Sequence, residues 1–271
     1  MYSPSKRKQY RFGILVVSAI TMFVLLQPDF ARAQPLRPLS ESSVNPITEI
    51  YGLTKTARKY DDFEAISKRC TELLADGVSD KDQKYLDSLV GWAENRLAGK
   101  ELENAIGLEG IGLDEQARVE LSKAISRYDG LIESHPSLWR AWMGRAVIHA
   151  RAGEYDPALK KFRKVLKLDV KNDNARFNIA EMLYQLQEYQ PAIKQYSKVL
   201  IDDSADVEAL TGRGHSHLKL KQFAQAFDDF DTVTKLVPDN RQASSNLKLA
   251  KSLQHQPAET LTSANQQDLK K

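Results

Sequence analysis

Apolar residues recur at helical spacing along most of the chain after residue 46. In the second half the recurrence itself repeats. Tyr155, Ala158, Phe162 and Val165 are spaced 3, 4 and 3 apart, which places them on one stripe of a helix. The same classes return 34 residues on as Tyr189, Ala192, Tyr196 and Val199, then as Phe223, Ala226, Phe230 and Val233, and 34 residues earlier as Leu121, Ala124, Tyr128 and Leu131. A second helical run precedes three of these stripes. In it Trp142, Ala146 and His149 align with Arg176, Ala180 and Leu183, and with Leu210, Gly214 and His217. Each unit is therefore predicted to be helix–turn–helix. Asp156 before Pro157, and Gln190 before Pro191, read as a helix cap followed by proline at the first helical position. Ala146, Ala180 and Gly214, with Ala158, Ala192 and Ala226, mark close approach of helices. Phe162, Tyr196 and Phe230 fill gaps between units. One helix pair cannot bury both of its apolar faces, whereas stacked copies can, so the pattern predicts an all-α solenoid.

The in-phase units are 139–172, 173–206 and 207–240, with a further second helix at about 115–134 and a capping helix at 241–254 that carries Leu247, Ala250 and Leu253 on one side. Residues 46–78 read as another helix pair. There Phe63, Ile66, Cys70 and Leu73 imitate the stripe, but 58 residues before Leu121, out of phase by an insertion of about 24. A helix at 80–99 buries Leu86, Leu89 and Val90. Segment 100–117 carries Gly107, Gly110 and Gly112, which lack the Gly-x-Gly-x-x-Gly order of a phosphate-binding turn and follow no strand. It reads as an elongated helix and then a loop that absorbs the insertion.

The 34-residue period, the small residues at the eighth and twentieth positions and the aromatic at the twenty-fourth resemble tetratricopeptide repeats. Trp142 matches the family's early tryptophan and Pro238 its inter-repeat proline. Arg176, Leu210 and Val170 do not match, and Arg145, Ile179 and Arg213 stand where leucine is usual. The resemblance covers about 115–254 and implies an all-α fold of helix–turn–helix repeats stacked into a right-handed superhelix. In that family the first helices line a concave face. The positions so implied are Arg140, Met143, Val147 and Ala150; Asn174, Phe177, Glu181 and Tyr184; and Glu208, Thr211, His215 and Leu218. Some members clamp a C-terminal carboxylate with Lys and Asn. Asn178 holds a clamp position, but Met143 and Val147 replace the Lys and Asn expected there, so that clamp is not expected. The implied function is a non-catalytic scaffold that binds a peptide or protein segment in the groove. An envelope-assembly or cell-wall factor acting on a polysaccharide or lipoprotein complex is the alternative.

Composition changes this picture mainly at the ends. The chain of 271 residues has a net charge of +3. Lys6, Arg7, Lys8 and Arg11 precede the apolar run at 12–26, and Ala31-Arg32-Ala33 follows as a small-x-small cleavage site, so residues 1–33 read as a Sec-type secretory signal. The run of 15 residues is short for a membrane span, which needs about 20. Without residues 1–33 the chain carries 34 basic and 35 acidic residues, a net charge of −1, and loses the only support for nucleic-acid binding. The expectation is an exported protein of bacterial type, in the periplasm or cell envelope, or anchored by its N-terminus if uncleaved. The order along the chain is then signal 1–33, flexible leader 34–45, degenerate helical region 46–114, repeat array with its cap 115–254, and disordered tail 255–271.

Candidate chemistry is sparse. Cys70 is the one cysteine, which excludes an internal disulfide. His215 and His217 are two apart on a helix and point different ways, so they do not chelate one metal. In the run 227–231, Phe227 and Phe230 are needed inside, which leaves Asp228, Asp229 and Asp231 for solvent. Asp202 to Asp206 lies at an inter-repeat turn and suits capping of the next helix. With no nucleophile elbow and no His-Glu-x-x-His, no catalytic, cofactor or metal-binding residue is predicted.

Overall fold

The computed structural model describes residues 46–255; the expected signal (1–33) and leader (34–45), and the tail from 256 onward, lie outside the described residues. Eleven α-helices occur among these residues. They are α1 (Pro46–Thr56), α2 (Tyr60–Asp76), α3 (Asp80–Gly110), α4 (Asp114–Ser134), α5 (Trp139–Arg151), α6 (Tyr155–Leu168), α7 (Asp173–Gln185), α8 (Tyr189–Asp202), α9 (Val207–Lys219), α10 (Phe223–Leu236) and α11 (Arg241–Gln254). No described helix is long and apolar enough to cross a membrane. The chain forms two compact units. One ends at Val170 and contains α1 to α6; the other begins at Lys171 and contains α7 to α11.

In the unit beginning at Lys171, each helix packs on the next, and the first helices α7 and α9 also touch directly. Buried Ala192, Tyr196 and Val199 of α8, and Ala226, Phe230 and Val233 of α10, form the expected stripes. The aromatics fill inter-helix gaps against glycine. A Cβ added to Gly212 of α9 would lie 2.5 Å from Cζ of Tyr196, and one added to Gly214 would lie 2.8 Å from Cε1 of Phe230. The helix starts are capped at a fixed interval. Asn172, Asp206 and Asn240 accept the backbone N–H of Ala175, Ala209 and Ala243 at 2.9, 2.8 and 3.0 Å.

In the unit ending at Val170, successive helices from α1 to α6 pack in turn, and α3 touches α5. Ala124, Tyr128 and Leu131 of α4, and Ala158, Phe162 and Val165 of α6, are buried as the stripe requires. So are Phe63, Ile66 and Cys70 of α2; burial pushes the Cys70 thiol up to about 12. The expected helix at 80–99 and the segment after it are one helix of 31 residues, paired with an α4 of 21 residues. The insertion is thus taken up by lengthening this hairpin, and the loop is short, with Gly112 at φ +80°. Arg127 of α4 ties three helices together. It donates to Glu101 at 2.8 Å and to Tyr60 Oη at 3.0 Å, and it pairs with Glu94.

Each intra-repeat turn closes the same way. Gly153, Gln187 and Lys221 have φ of 76°, 63° and 59°. The following N–H groups, of Glu154, Glu188 and Gln222, reach back to the carbonyls of His149, Leu183 and His217 at 2.9, 2.8 and 2.9 Å. These helices begin at Tyr155 and Tyr189, one residue before the expected caps. Pro157 and Pro191 therefore stand third in their helices. Proline is tolerated there because the first-turn N–H groups have no intrahelical acceptor.

Asp229 departs from its expected exposure. It is 5% exposed and accepts from Arg213 Nε and Nη2, at 3.0 Å and 2.6 Å for the closest oxygens. Arg213 Nη1 also reaches Ser197 Oγ at 3.1 Å. One repeat-pair earlier, Arg145 donates to Asp129 at 2.8 Å, where Asp129 is the counterpart of Ser197. The two arginines that replace leucine thus bind polar groups on neighbouring helices.

Candidate functional site

The first helices touch within each unit, α3 with α5 and α7 with α9, so the positions implied on them are carried by helices rather than loops.

On α5, Met143 and Val147 are each 1% exposed and Ala150 is also buried. Of the positions implied there, only Arg140 reaches the surface; its guanidinium lies 4.4 Å from the centroid of the Trp139 ring.

On α7 and α9 the implied positions divide into a buried and an accessible set. Phe177 meets the Tyr196 ring edge-on at 5.8 Å and belongs to the packing. Asn178 is buried, with Nδ2 donating to the Asn174 carbonyl at 2.8 Å and Oδ1 lacking a partner. Glu181 is 9% exposed and accepts the Tyr196 hydroxyl. Burial raises its pKa and the nearby Glu208 carboxylate raises it further, while the Tyr196 hydrogen bond opposes both. Tyr184, Thr211, His215 and Leu218 remain partly accessible, as does Asn174, and Glu208 is exposed. Tyr184 is braced edge-on against Tyr189 at 5.4 Å, and Thr211 Oγ1 donates to the Val207 carbonyl at 2.7 Å.

His215 and His217 turn to different partners. Asn246 Nδ2 donates to His215 Nε2 at 2.8 Å, and burial lowers the His215 pKa, which favours a neutral ring with its proton on Nδ1. His217 Nδ1 bonds Gln222 Oε1 at 2.6 Å. Among the described residues no group of three or more His, Cys, Asp or Glu side chains could hold a metal ion.

Sequence reasoning missed a group on the unit ending at Val170. Arg96 of α3 lies over the Phe63 ring at 5.8 Å, and its Nε is buried with no hydrogen-bond partner. Burial lowers its pKa, as do the charges of Arg140 and Arg58, against an opposing contribution from Glu103. Asn95, beside it, is buried with Oδ1 unpartnered. These residues lie in the helix that falls outside the 34-residue phase, so no alignment to the other copies brings them forward.

The family model for the tetratricopeptide repeat matches residues 110–173 and 151–207. No characterised protein sequence matches the chain. Solved structures with similar folds include YrrB, described as a TPR protein with an unusual peptide-binding site (20% identity, TM-score 0.47, 60% of this chain and 80% of that one). Another is MamA (16% identity, TM-score 0.48, 51% and 82%). A third is the second TPR domain of human RPAP3 in complex with an HSP70 peptide (26% identity, TM-score 0.39, 41% and 92%).

Proposed function

Because the chain is a tetratricopeptide-repeat protein, we propose that it is a non-catalytic scaffold that binds a peptide or protein segment along the first helices of its repeats. The observation that carries this reading is the accessible set on α7 and α9. Tyr184 and Leu218 offer apolar contact, while Thr211, His215 and Glu208 offer polar contact. Four of the five stand on α9, whose Gly212 and Gly214 admit Tyr196 of α8 and Phe230 of α10, and Tyr184 stands on α7, whose Phe177 packs edge-on against Tyr196. A ligand segment laid there would meet a rigid surface and would itself bear most of the ordering cost.

We place this activity in the periplasm or cell envelope, on the strength of the basic, apolar and small-x-small pattern of residues 1–33. Mass spectrometry of the exported product should find an N-terminus at Gln34; a product that begins at Met1 and stays in the cytoplasm would refute the location.

The binding reading is tested with the purified chain as bait for an envelope extract, beside a Tyr184→Lys/Thr211→Lys variant with an unchanged circular dichroism spectrum. A protein held by the parent and released by the variant supports the scaffold. Equal retention by both rejects this face. Recovery of glycan or a lipoprotein complex by both would favour the envelope-factor alternative.

A further inference from the structure

Stacking fixes the apolar side of each second helix and leaves its other side free to vary. On α6 that other side is strongly basic. Lys160, Arg163, Lys164 and Lys167 fall within an arc of about 100° along about 10 Å of helix, opposite the buried Ala158, Phe162 and Val165. Lys161 stands at the edge of the arc, and the one acid of the helix, Asp156, lies in its first turn. At the same five positions α8 has two lysines, Lys194 and Lys198, and α10 has Lys235 and three aspartates. The fold therefore does not require this charge. Lys160, Arg163 and Lys167 are exposed. No carboxylate of a described residue forms an ion pair with any of the five, and Asp129, the acid toward Lys161, is held by Arg145 at 2.8 Å. Lys161 and Lys164 instead share one ring. Their Nζ atoms lie 5.4 and 5.5 Å from the centroid of Trp142. That indole is partly accessible, and its Nε1 donates to the Pro136 carbonyl at 3.0 Å, which holds the ring beside the charges.

We propose that this face of α6, with Trp142 at its edge, docks on an anionic membrane surface and sets its five cations among the lipid phosphates. Three features favour that partner over an acidic protein. Four of the five cations are lysines, point charges on flexible stems that lack the fork with which arginine grips a carboxylate, and lysine is depleted in protein interfaces. Two cavities of this unit, of about 620 and 570 Å³, are lined by α3, α4, α5 and Glu154, and these cations line neither. A helix face without a groove gives a peptide no pocket for its side chains, whereas a fluid layer of headgroups moves to meet the charges. The indole beside lysine stems is the pairing that suits a membrane–water interface. Clusters of about four to eight Lys and Arg on an amphipathic helix bind anionic leaflets. The face belongs to a second helix, and the proposal does not depend on a peptide binding to α7 and α9.

The test is co-sedimentation with lipid vesicles. The chain from Gln34 onward keeps all eleven described helices and omits the apolar run at 12–26, which would add membrane binding of its own; its folding is checked by circular dichroism. It should bind vesicles of mixed phosphatidylglycerol and phosphatidylcholine about tenfold more tightly, or better, than phosphatidylcholine alone at about 50 mM salt. The preference should vanish at about 0.5 M salt. Lys160→Gln/Arg163→Gln/Lys167→Gln removes three exposed charges and should weaken binding roughly a hundredfold, about fivefold for each. Lys194→Gln/Lys198→Gln/Lys248→Gln lowers the net charge equally at other exposed positions and should change binding by less than about twofold. Binding that survives the α6 substitutions, that falls equally in the control, or that shows no preference for anionic lipid would overturn the proposal. Tighter binding to soluble polyglutamate than to anionic vesicles of equal charge would assign the face to an acidic protein and overturn it as well.

Discussion

Gly144 sits in the middle of α5 and faces Tyr128 of α4. A Cβ at that position would lie 2.2 Å from Cζ of the ring and 2.5 Å from both Cε1 and Oη. Carbon atoms rest about 3.5–4.0 Å apart, so helix and ring would have to separate by roughly 1.3 Å. The ring has little room to retreat. It is 1% exposed, and its hydroxyl already lies 3.8 Å from where a Cβ on Gly99 would be. Moving α5 instead would draw Arg145 away from Asp129, now 2.8 Å distant. Overpacking of this kind costs about 1–3 kcal/mol. A rigid ring on one side and backbone on the other put Gly144→Ala at the upper end of that range. Alanine's better helix propensity returns about 1 kcal/mol, which leaves a net loss of about 2 kcal/mol. Gly107→Ala is the control. That glycine is exposed in α3 with nothing within 4 Å of an added Cβ, so the substitution should stabilise by about 0.5–1 kcal/mol. Urea unfolding followed by far-UV circular dichroism, with midpoints compared at unchanged slope, separates the two. If Gly144→Ala proves as stable as the parent chain, the glycine is not there to admit the aromatic, and the account of how successive helix pairs are spaced is wrong.

Three further sets of substitutions probe other parts of the molecule by the same unfolding assay. Arg127→Met leaves the charge of Glu101, which is 1% exposed, with only the Tyr60 hydroxyl as partner, and should cost about 3–5 kcal/mol, most of it recovered by adding Glu101→Met; an equal loss in the double variant would count against the ion network. Burial, with repulsion from Glu208, raises the folded-state pKa of Glu181. The stability tied to its neutral form is therefore full below the unfolded carboxylate value of about 4.3 and is lost as pH rises through the folded value. Glu181→Gln should accordingly stabilise at pH 8 and be nearly neutral at pH 4, and the reverse order would refute the assignment. Gln187→Gly and Lys221→Gly should each add about 0.5–1 kcal/mol by relieving a positive φ that Gly153 adopts without strain; a loss in both would mean that their side chains do more than occupy the turn.

What could be read from the chain beforehand is what every copy shares. The stripe of Ala192, Tyr196 and Val199, its counterparts in the neighbouring helices, and the capping aspartate at 206 recur at one interval, and a periodic pattern exposes them. The turn geometry recurs as faithfully at 153, 187 and 221. It was hidden because the shared property is a backbone angle, and glycine, glutamine and lysine have no side-chain class in common. Asp229 escapes the pattern for a related reason. Its place beside Phe230 suggests a solvated face, but its environment is set by Arg213, sixteen residues away, at a position where the other repeats supply isoleucine or another arginine. The fold and the site thus draw on different parts of the sequence. Stacking requires each repeat to offer its neighbour the same small and aromatic contacts. Recognition of a particular ligand requires groups that the other repeats lack. Arg96 and Asn95 lie in a helix lengthened out of phase, so the pattern that builds the array does not bring them forward, whereas Asn178, whose Oδ1 also lacks a partner, lies within that pattern. A residue that the repeat does not need, and that is costly to leave unpaired, is where the specific chemistry of such a chain is to be sought.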